Sequence, residues 1–260
     1  MGDAWRVGDA VRRKENFVIG PRLLVVQHDL DDSMNDLAGP LAKARLHIDP
    51  WCTFVDAEPP ASVEEYDGIL SMGALASVSE EADHLWMQNE RRVIEQALAR
   101  GIPVLGVCFG AQILAAAAGG EFRRAPQEAI GWCTVDMEPD AVNDPLFAAL
   151  GSQFHAFQYH YDTFTQPNNS TILGRSGDII EAYRVGQNAW GIQFHIEANP
   201  AVVYAWLGTY RQEMEAAGVD IDQMRELTAT YADEYREKAL GLSSAFAKQV
   251  MTHARTREAG

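Results

Sequence analysis

A cysteine that could act as a nucleophile stands in residues 106–112, which read G-V-C-F-G-A-Q. Cys108 follows a short aliphatic run, precedes a helical pattern and has a glycine two residues away on either side. A sharp turn at such a junction projects the side chain out of a sheet, and the small neighbours let a substrate approach. The helix N-terminus lowers a thiol pKa and offers N–H groups to a developing oxyanion. This context favours a nucleophile over a small buried hydrophobe.

A base and an orienting acid for Cys108 stand in residues 191–197, which read G-I-Q-F-H-I-E. If this segment is a strand, His195 and Glu197 point to the same face because side chains alternate along a strand. The carboxylate can then fix the imidazole tautomer while the other ring nitrogen faces the thiol. The other histidines show no such pairing, and a surface or packing role is favoured for most of them: His28, His47, His84, His155, His160 and His253.

Alternating strand and helix patterns must position these residues. The pattern predicts strands at 22–27, 67–72 and 103–107, and helices at 35–46, 81–100 and 109–118, with Gly101 ending the second helix. This rhythm is typical of a parallel sheet with helices on both faces. After Gly120, strands at 130–135, 153–159, 181–185 and 189–194 with short turns predict a partly antiparallel extension.

The remainder of the chain is predicted to be helical, with one apolar stripe from Asp220 and a second after Gly241. We therefore expect an N-terminal extension over residues 1–20, a single α/β domain over residues 21–207 and a helical C-terminal appendage over residues 208–260.

Composition limits the classes of partner. The 260 residues carry 21 Lys plus Arg against 37 Asp plus Glu, a formal charge of −16, which disfavours a nucleic-acid groove. No apolar run reaches the roughly 18 residues that a membrane span needs, so we expect a soluble protein. Cys52, Cys108 and Cys133 are an odd number without a C-x-x-C pair, which favours a reducing cytoplasm over disulfides or a metal site.

The motif around Cys108, followed downstream by W-G-I-Q-F-H-I-E, resembles the glutaminase domain of class I glutamine amidotransferases, closest to the GMP synthetase-like branch. The resemblance runs from about Leu23 to about Leu207. It implies a Rossmann-like (flavodoxin-like) α/β fold, mostly parallel, without a cofactor. It also implies that Cys108 attacks a γ-glutamyl amide, that His195 shuttles the proton and that Glu197 orients the imidazole.

The same resemblance implies roles for backbone and substrate-contacting groups. The N–H groups of Gly73 and Phe109 correspond to an oxyanion hole, and Gln112 to a residue that helps hold glutamine. His160, Tyr161 and Asp162 correspond to the loop that borders the amino-acid end of the substrate.

Three positions depart from the family pattern. Residues 72–74 read M-G-A where many members have Gly-Gly-Pro, and Ile196 replaces a proline, which a strand should tolerate. Tyr161 replaces a small residue and is expected to reshape the substrate site.

Three functions stay open at this stage. The chain lacks the phosphate loop and the Ser-Gly-Gly-x-Asp-Ser segment of ATP-using synthetase domains. A glutamine amidotransferase would therefore release ammonia or pass it to a separate synthetase subunit. Tyr161 favours an alternative, a γ-glutamyl peptidase or hydrolase acting on a γ-glutamyl amine or peptide. The third is an inactive binding or regulatory protein of the same fold.

Overall fold

The computed structural model describes residues 20–259, so nearly all of the expected N-terminal extension lies outside the described residues. The sheet order in this part of the chain is β2-β1-β3-β4-β9-β8-β7-β5-β6. The strands are β1 (Arg22–Gln27), β2 (His47–Cys52), β3 (Gly68–Ser71), β4 (Val104–Val107), β5 (Phe122–Met137), β6 (Gln153–Phe164), β7 (Ser170–Ser176), β8 (Ile179–Val185) and β9 (Ala189–Ile192). The α-helices are α1 (Ala38–Lys43), α2 (Leu85–Arg100), α3 (Phe109–Ala117), α4 (Pro200–Thr209), α5 (Arg211–Ala216) and α6 (Ile221–Ala259).

The sheet has a parallel and an antiparallel half. Strands β2, β1, β3, β4 and β9 pair in parallel. From β9 onward, through β8, β7, β5 and β6, every pairing is antiparallel. The predicted α/β class with an antiparallel extension is therefore confirmed.

Apolar side chains cover both faces of the sheet. In β1, Leu23 and Val25 belong to one hydrophobic cluster, whereas Leu24 and Val26 belong to the other. Helices α2 and α3 pack in the cluster of Leu24, and α4 and α6 pack in the cluster of Leu23. Burial on both faces explains why β1, β3 and β4 are continuous aliphatic runs rather than alternating patterns. The edge strand β2 is only partly buried, lacks such a run and was not predicted.

Helix α2 illustrates how the local sequence sets its ends. Gly101 adopts φ +67° at the C-terminal cap, as predicted. The start was wrong by four residues, because a 3₁₀ segment, Val78–Asp83, occupies the predicted first turn. Ser77 and Glu80 form a reciprocal capping box on that segment, which gives the chain a local alternative to the α-helix.

Helix α6 is continuous, so the expected interruption at Gly241 was wrong. Gly241 is exposed, and one exposed glycine costs a helix only about 1 kcal/mol relative to alanine. Leu242, Phe246 and Val250 of this helix are fully buried in the main core. The division at residue 208 stays a prediction. No helix within residues 20–259 is long and apolar enough to cross a membrane.

Two further differences concern the antiparallel half. Strand β7 was not predicted, and β5 and β6 are longer than predicted. The β5–β6 ladder shifts register between Arg124 and Ala129, where residues 125–128 lie opposite the single residue Tyr161. This bulge lies beside Tyr161, one of the candidate site residues on β6.

Candidate active site

Cys108 stands at a strained turn between β4 and α3. Its backbone adopts φ +51° and ψ −107°, a region that non-glycine residues rarely occupy. Its N–H donates to the Ile192 carbonyl over 2.8 Å, which ties the turn to the end of β9. Strain of this kind at the head of a helix is typical of a nucleophile elbow.

Two glycines make the elbow sterically feasible. A Cβ on Gly106 would lie 2.3 Å from the Gly110 carbonyl oxygen, and one on Gly110 would lie 2.2 Å from the Ser71 carbonyl oxygen. Both distances are far shorter than any side chain tolerates. The glycines two residues on either side of Cys108 therefore let α3 begin directly against β3 and β4, as their spacing predicted.

His195 and Glu197 lie beyond the end of β9, so the strand expected to continue through them was wrong. Strand β9 ends at Ile192, and the chain turns at His195, whose carbonyl accepts from the Ala198 N–H over 3.1 Å. Even so, His195 Nδ1 donates to Glu197 Oε1 over 2.7 Å, and both side chains are buried. Ile196 replaces the family's proline within this turn rather than within a strand.

The electrostatics of His195 favour the imidazolium form. Burial lowers the pKa of His195, but Cys108 and Glu197 raise it by more, so the pKa stands well above its usual value. Nε2 has no hydrogen-bond partner among the described residues and is buried. The Trp206 ring packs edge-on against the imidazole, with 4.9 Å between ring centroids. An imidazolium beside Cys108 stabilises the thiolate, which is the nucleophilic form.

Hydrogen bonds hold the loop around Gly73 on both sides. The Met72 carbonyl accepts from the Gly110 N–H over 3.1 Å, and the Gly73 carbonyl accepts from His28 Nδ1 over 2.8 Å. Because a peptide unit is planar, the contact of the Met72 carbonyl fixes the direction of the Gly73 N–H, and the contact of the Gly73 carbonyl fixes the peptide unit that follows. The Phe109 N–H, at the first position of α3, has no acceptor within the helix. These are the two groups that the resemblance implied for an oxyanion hole.

His28 has the packing role that was expected for most of the other histidines, but with a buried acid partner that the sequence did not indicate. His28 Nε2 lies 2.8 Å from Glu90 Oε2, and both side chains are buried. Burial lowers the pKa of His28, but the Glu90 carboxylate raises it by more. Glu90 also accepts from Ser71 Oγ over 2.6 Å. Among the described residues, a buried histidine–glutamate pair therefore occurs at two places, His28–Glu90 and His195–Glu197.

A pocket of about 320 Å³ opens beside the elbow. Seven of the nine residues proposed for the site from the sequence line it: Cys108, Phe109, Gln112, His160, Tyr161, Asp162 and His195. Glu197 lies behind His195, and Gly73 lies next to the lining residue Ala74. The structure thus brings the predicted residues to one place.

Gln112 and Gln193 connect the cysteine to the pocket wall. Gln112 Nε2 lies 3.3 Å from the Asp162 carbonyl and 3.4 Å from Gln193 Oε1. Gln193 Nε2 donates to Cys108 Sγ over 3.7 Å. Gln193 was missed from the sequence, although it stands two residues before His195 in the same motif. Burial lowers the pKa of His160 to about 4, so this neighbour of the site is neutral.

The sequence also gave no signal for several other lining residues. Asp32, which follows β1, is 7% exposed and lines the pocket. Burial raises the pKa of Asp32 to about 6, against the lowering effect of His195. The rest of the unpredicted polar and aromatic lining comes from Asp31, Tyr159, Trp206, Tyr210 and Glu213.

With this geometry in hand, the comparisons with known proteins identify the family. The model of the family described as glutamine amidotransferase class-I matches residues 39–203. The chain belongs to this family. A solved glutamine amidotransferase from Thermotoga maritima is 25% identical, with a TM-score of 0.79 over 88% of this chain and 98% of that one. The predicted resemblance and fold are confirmed.

Two curated relatives of this class I amidotransferase carry different names. The GMP synthase [glutamine-hydrolyzing] of Symbiobacterium thermophilum is 35% identical over 134 residues, which are 50% of this chain and 24% of the synthase. The gamma-glutamyl-L-1-hydroxyisopropylamide hydrolase of a Pseudomonas species is 30% identical over 141 residues, 51% of this chain and 47% of the hydrolase. The matched region spans less than half the length of either relative.

One cluster in this amidotransferase has donor atoms close enough to hold a metal ion. Among the described residues, Asp32, His195 and Glu197 each offer one such atom, and these atoms lie within 4.8 Å of one another. However, His195 Nδ1 and Glu197 Oε1 already bind each other, and the pair faces a cysteine. The cluster is better suited to holding a proton on the imidazole than to coordinating a cation.

Proposed function

We propose that the chain is an enzyme that cleaves a γ-glutamyl amide through a thioester on Cys108, with glutamine as the first candidate substrate. The observation that carries the proposal is the strained Cys108 elbow, which shares one pocket with a buried His195–Glu197 pair. Cysteine, histidine and a carboxylate in these roles are sufficient for acyl transfer.

In the acylation step, the Cys108 thiolate adds to the γ-carbonyl carbon. The carbonyl oxygen takes up the negative charge, and the N–H groups of Gly73 and Phe109 stabilise it. His195 Nε2 then donates its proton to the leaving nitrogen, the C–N bond breaks, and ammonia or an amine departs. Glu197 keeps the imidazole oriented with Nε2 directed at the reacting atoms.

In the deacylation step, the neutral His195 accepts a proton from water as the water oxygen attacks the thioester. The C–S bond breaks, glutamate leaves, and the thiolate–imidazolium pair is restored. The raised pKa of His195 supports this sequence, because the resting pair already holds the proton that the leaving group needs.

Trapping the acyl-enzyme tests the proposal. The protein is incubated with glutamine and with a panel of γ-glutamyl amides, quenched in acid and analysed by peptide mass spectrometry. We expect a γ-glutamyl adduct on Cys108 and none on Cys52 or Cys133. A chain that releases neither ammonia nor amine and forms no adduct with any of these compounds contradicts the proposal and favours the binding-protein alternative.

A second candidate function is γ-glutamyl amide hydrolysis with an amine other than ammonia as the leaving group. It is favoured by Tyr161, which lines the pocket and whose hydroxyl donates to the Glu213 carboxylate. The hydrolase relative from Pseudomonas is named for a substrate of this type. Ammonia transfer to a separate synthetase subunit is the corresponding proposal for the amidotransferase, and adding such a subunit should then raise glutamine turnover.

A further inference from the structure

The pocket beside Cys108 is lined by carboxylates that lack matching cations. Asp31, Asp32, Asp162 and Glu213 all line it, whereas no Lys or Arg side chain in the described part of the chain does. Arg124 lies 3.4 Å from Asp162 and stacks on the Tyr161 ring, so Asp162 has a cationic neighbour. Asp32 lies within 4.8 Å of the His195 imidazole, whereas Asp31 and Glu213 have no cationic partner among the described residues.

Of these carboxylates, Asp32 has the largest desolvation cost, because its side chain is buried. Its side chain is buried, and its carboxylate has no hydrogen bond to any of residues 20–259. A buried carboxylate without a hydrogen-bond partner loses hydration, and the His195 imidazolium offsets this loss only through its charge and not through a hydrogen bond. A bound cationic group would supply the Asp32 carboxylate with additional positive charge and a hydrogen-bond donor.

Aromatic rings complete the same wall. The Tyr159 ring lies 5.6 Å from that of Tyr210, 6.2 Å from that of Tyr161 and 6.0 Å from that of Trp206, measured between centroids. All four rings line the pocket. Aromatic faces attract ammonium groups through their quadrupole, most strongly when the site is partly desolvated.

Two of the carboxylates accept hydrogen bonds from the hydroxyl groups of these rings at the pocket mouth. Asp31 Oδ2 accepts from the Tyr210 hydroxyl over 2.7 Å, and the Glu213 carboxylate accepts from the Tyr161 hydroxyl. Asp31 and Glu213 are exposed, whereas Asp32 lies inside beside His195. Carboxylates therefore line the pocket from the region of His195 to its solvent-exposed mouth. We expect the leaving amine to depart along this wall.

The α-ammonium group of the glutamyl moiety does not account for all of this charge. The family resemblance assigns that single cation to the loop of Asp162, whose backbone carbonyl lies 3.3 Å from Gln112 Nε2. Asp31 and Glu213, at the exposed mouth, are left for the other end of the substrate, and Asp32 lies between them and the reacting atoms. A net charge of −16 on the chain further favours the approach of a cationic substrate.

We propose that the preferred substrate is the γ-glutamyl amide of a diamine or polyamine, whose distal ammonium group binds between the rings and carboxylates of this pocket wall. The inference rests on the proposed function and names its substrate class. The scissile amide lies at Cys108, and the methylene chain of the amine spans the distance from His195 to the mouth.

Matched substrates test the inference. Hydrolysis of γ-glutamylputrescine is compared with that of γ-glutamylpentylamine, in which a methyl group replaces the distal ammonium, and with that of the γ-aminobutyrate conjugate, which carries a carboxylate there. We expect kcat/KM for the putrescine conjugate to exceed that for the pentylamine conjugate by about tenfold or more, and the anionic conjugate to be slowest. Raising the salt concentration from about 0.05 M to about 0.5 M should reduce the preference, because exposed charge pairs are screened.

Variants locate the origin of the preference. Asp31→Asn and Glu213→Gln should each lower the putrescine-to-pentylamine ratio about threefold, and the double variant about tenfold. Glu226→Gln is the matched control, because it removes one exposed carboxylate of α6 that does not line the pocket. Its ratio should equal that of the wild type.

The outcomes separate this inference from the function on which it rests. If the neutral conjugate or glutamine is hydrolysed as efficiently as the putrescine conjugate, the cationic preference is refuted while the thioester mechanism stands. If the double variant keeps the full ratio, the named carboxylates are refuted as its origin. If no conjugate acylates Cys108, both proposals fall together.

Discussion

Two buried histidine–glutamate pairs lie on either side of the Gly73 loop. His195 Nδ1 lies 2.7 Å from Glu197, and His28 Nε2 lies 2.8 Å from Glu90. In both pairs neighbouring charges raise the histidine pKa against the lowering effect of burial. By residue type, distance and burial the two pairs are equivalent, yet they are suited to different tasks.

The difference lies in the atoms that each pair leaves free. The other nitrogen of His28 binds the Gly73 carbonyl, and the other oxygen of Glu90 binds Ser71. In contrast, His195 Nε2 and Glu197 Oε2 have no partner within residues 20–259, and His195 shares a pocket with Cys108. A paired histidine is therefore equipped for proton transfer only when it keeps a nitrogen free beside a nucleophile, and otherwise it supports the structure.

The largest effect is expected from removing the nucleophile that distinguishes the His195 pair. Cys108→Ala should lower kcat by about 10⁵-fold or more, because no other described group can form the thioester. Ammonia or amine release, measured alongside the thermal midpoint, checks this. Cys133→Ser is the matched control, since Cys133 is half-buried and contacts Ser176 rather than the pocket. Comparable activity in Cys108→Ala would refute the nucleophile assignment.

The two histidines should respond differently to the same substitution. His195→Ala should lower kcat by about 10⁴-fold while leaving the urea midpoint nearly unchanged. His28→Ala leaves Glu90 buried without its cation and should cost about 3–5 kcal/mol of unfolding free energy. Urea unfolding and steady-state kinetics on both variants measure the contrast. Equal losses of kcat in the two variants would contradict the assignment of proton transfer to the His195 pair and of structural support to the His28 pair.

Substitution of the glutamate in each pair should lower kcat by less than substitution of the nucleophile or of His195. Glu197→Gln keeps the shape but weakens the orientation of the imidazolium, so we expect kcat to fall about 10³-fold. Glu90→Gln should act on catalysis only through the Gly73 loop, with about a tenfold loss in kcat and no change in its pH dependence. Complete pH–rate profiles for both variants distinguish a residue that orients the His195 imidazolium from one that supports the Gly73 loop. A Glu90→Gln profile with a displaced limb would contradict the supporting role.

Asp32 should give the smallest and most specific effect. Its pKa is raised from the usual range to about 6 by burial, so it loses its negative charge as the pH falls through that value. Protonation removes a charge that favours the His195 imidazolium, so kcat/KM should decline below about pH 6. Asp32→Asn should be slower above that pH and should lack this component of the acid limb. A limb of unchanged shape in the variant would exclude Asp32 as its source.

The sequence predicted the candidate catalytic residues, and the structure brings them together, because their signal is local. The glycines that flank Cys108 and the close spacing of His195 and Glu197 lie within short motifs, whose geometry the backbone enforces. The expected strand at His195 was wrong and the pairing correct, because two residues separated by one can meet in a turn as well as on a strand face. Strands β1, β3 and β4 of the parallel half were predictable for a similar reason, since buried strands form continuous aliphatic runs. The edge strand β2 was not predicted, because its partly exposed sequence H-I-D-P-W-C forms no such run.

Residues brought together by the fold alone were not predictable. His28 and Glu90 are 62 positions apart, and neither stands in a motif. Asp32 follows β1 without a flanking signal, and Tyr210 and Glu213 reach the pocket only because α4 and α5 pack beside β6. Their roles depend on tertiary contacts, which residue types and spacing do not encode.

The bulge opposite Tyr161 separates the evolution of specificity from that of catalysis. Residues 125–128 lie in β5 next to the edge strand β6, so we expect their lengthening or shortening to move chiefly the rim that carries Tyr161, because Cys108 and His195 stand at the ends of β4 and β9. If γ-glutamyl amides are the substrates, as proposed, insertions and deletions at this hairpin should change which leaving amine is accepted while the residues around Cys108 and His195 stay the same.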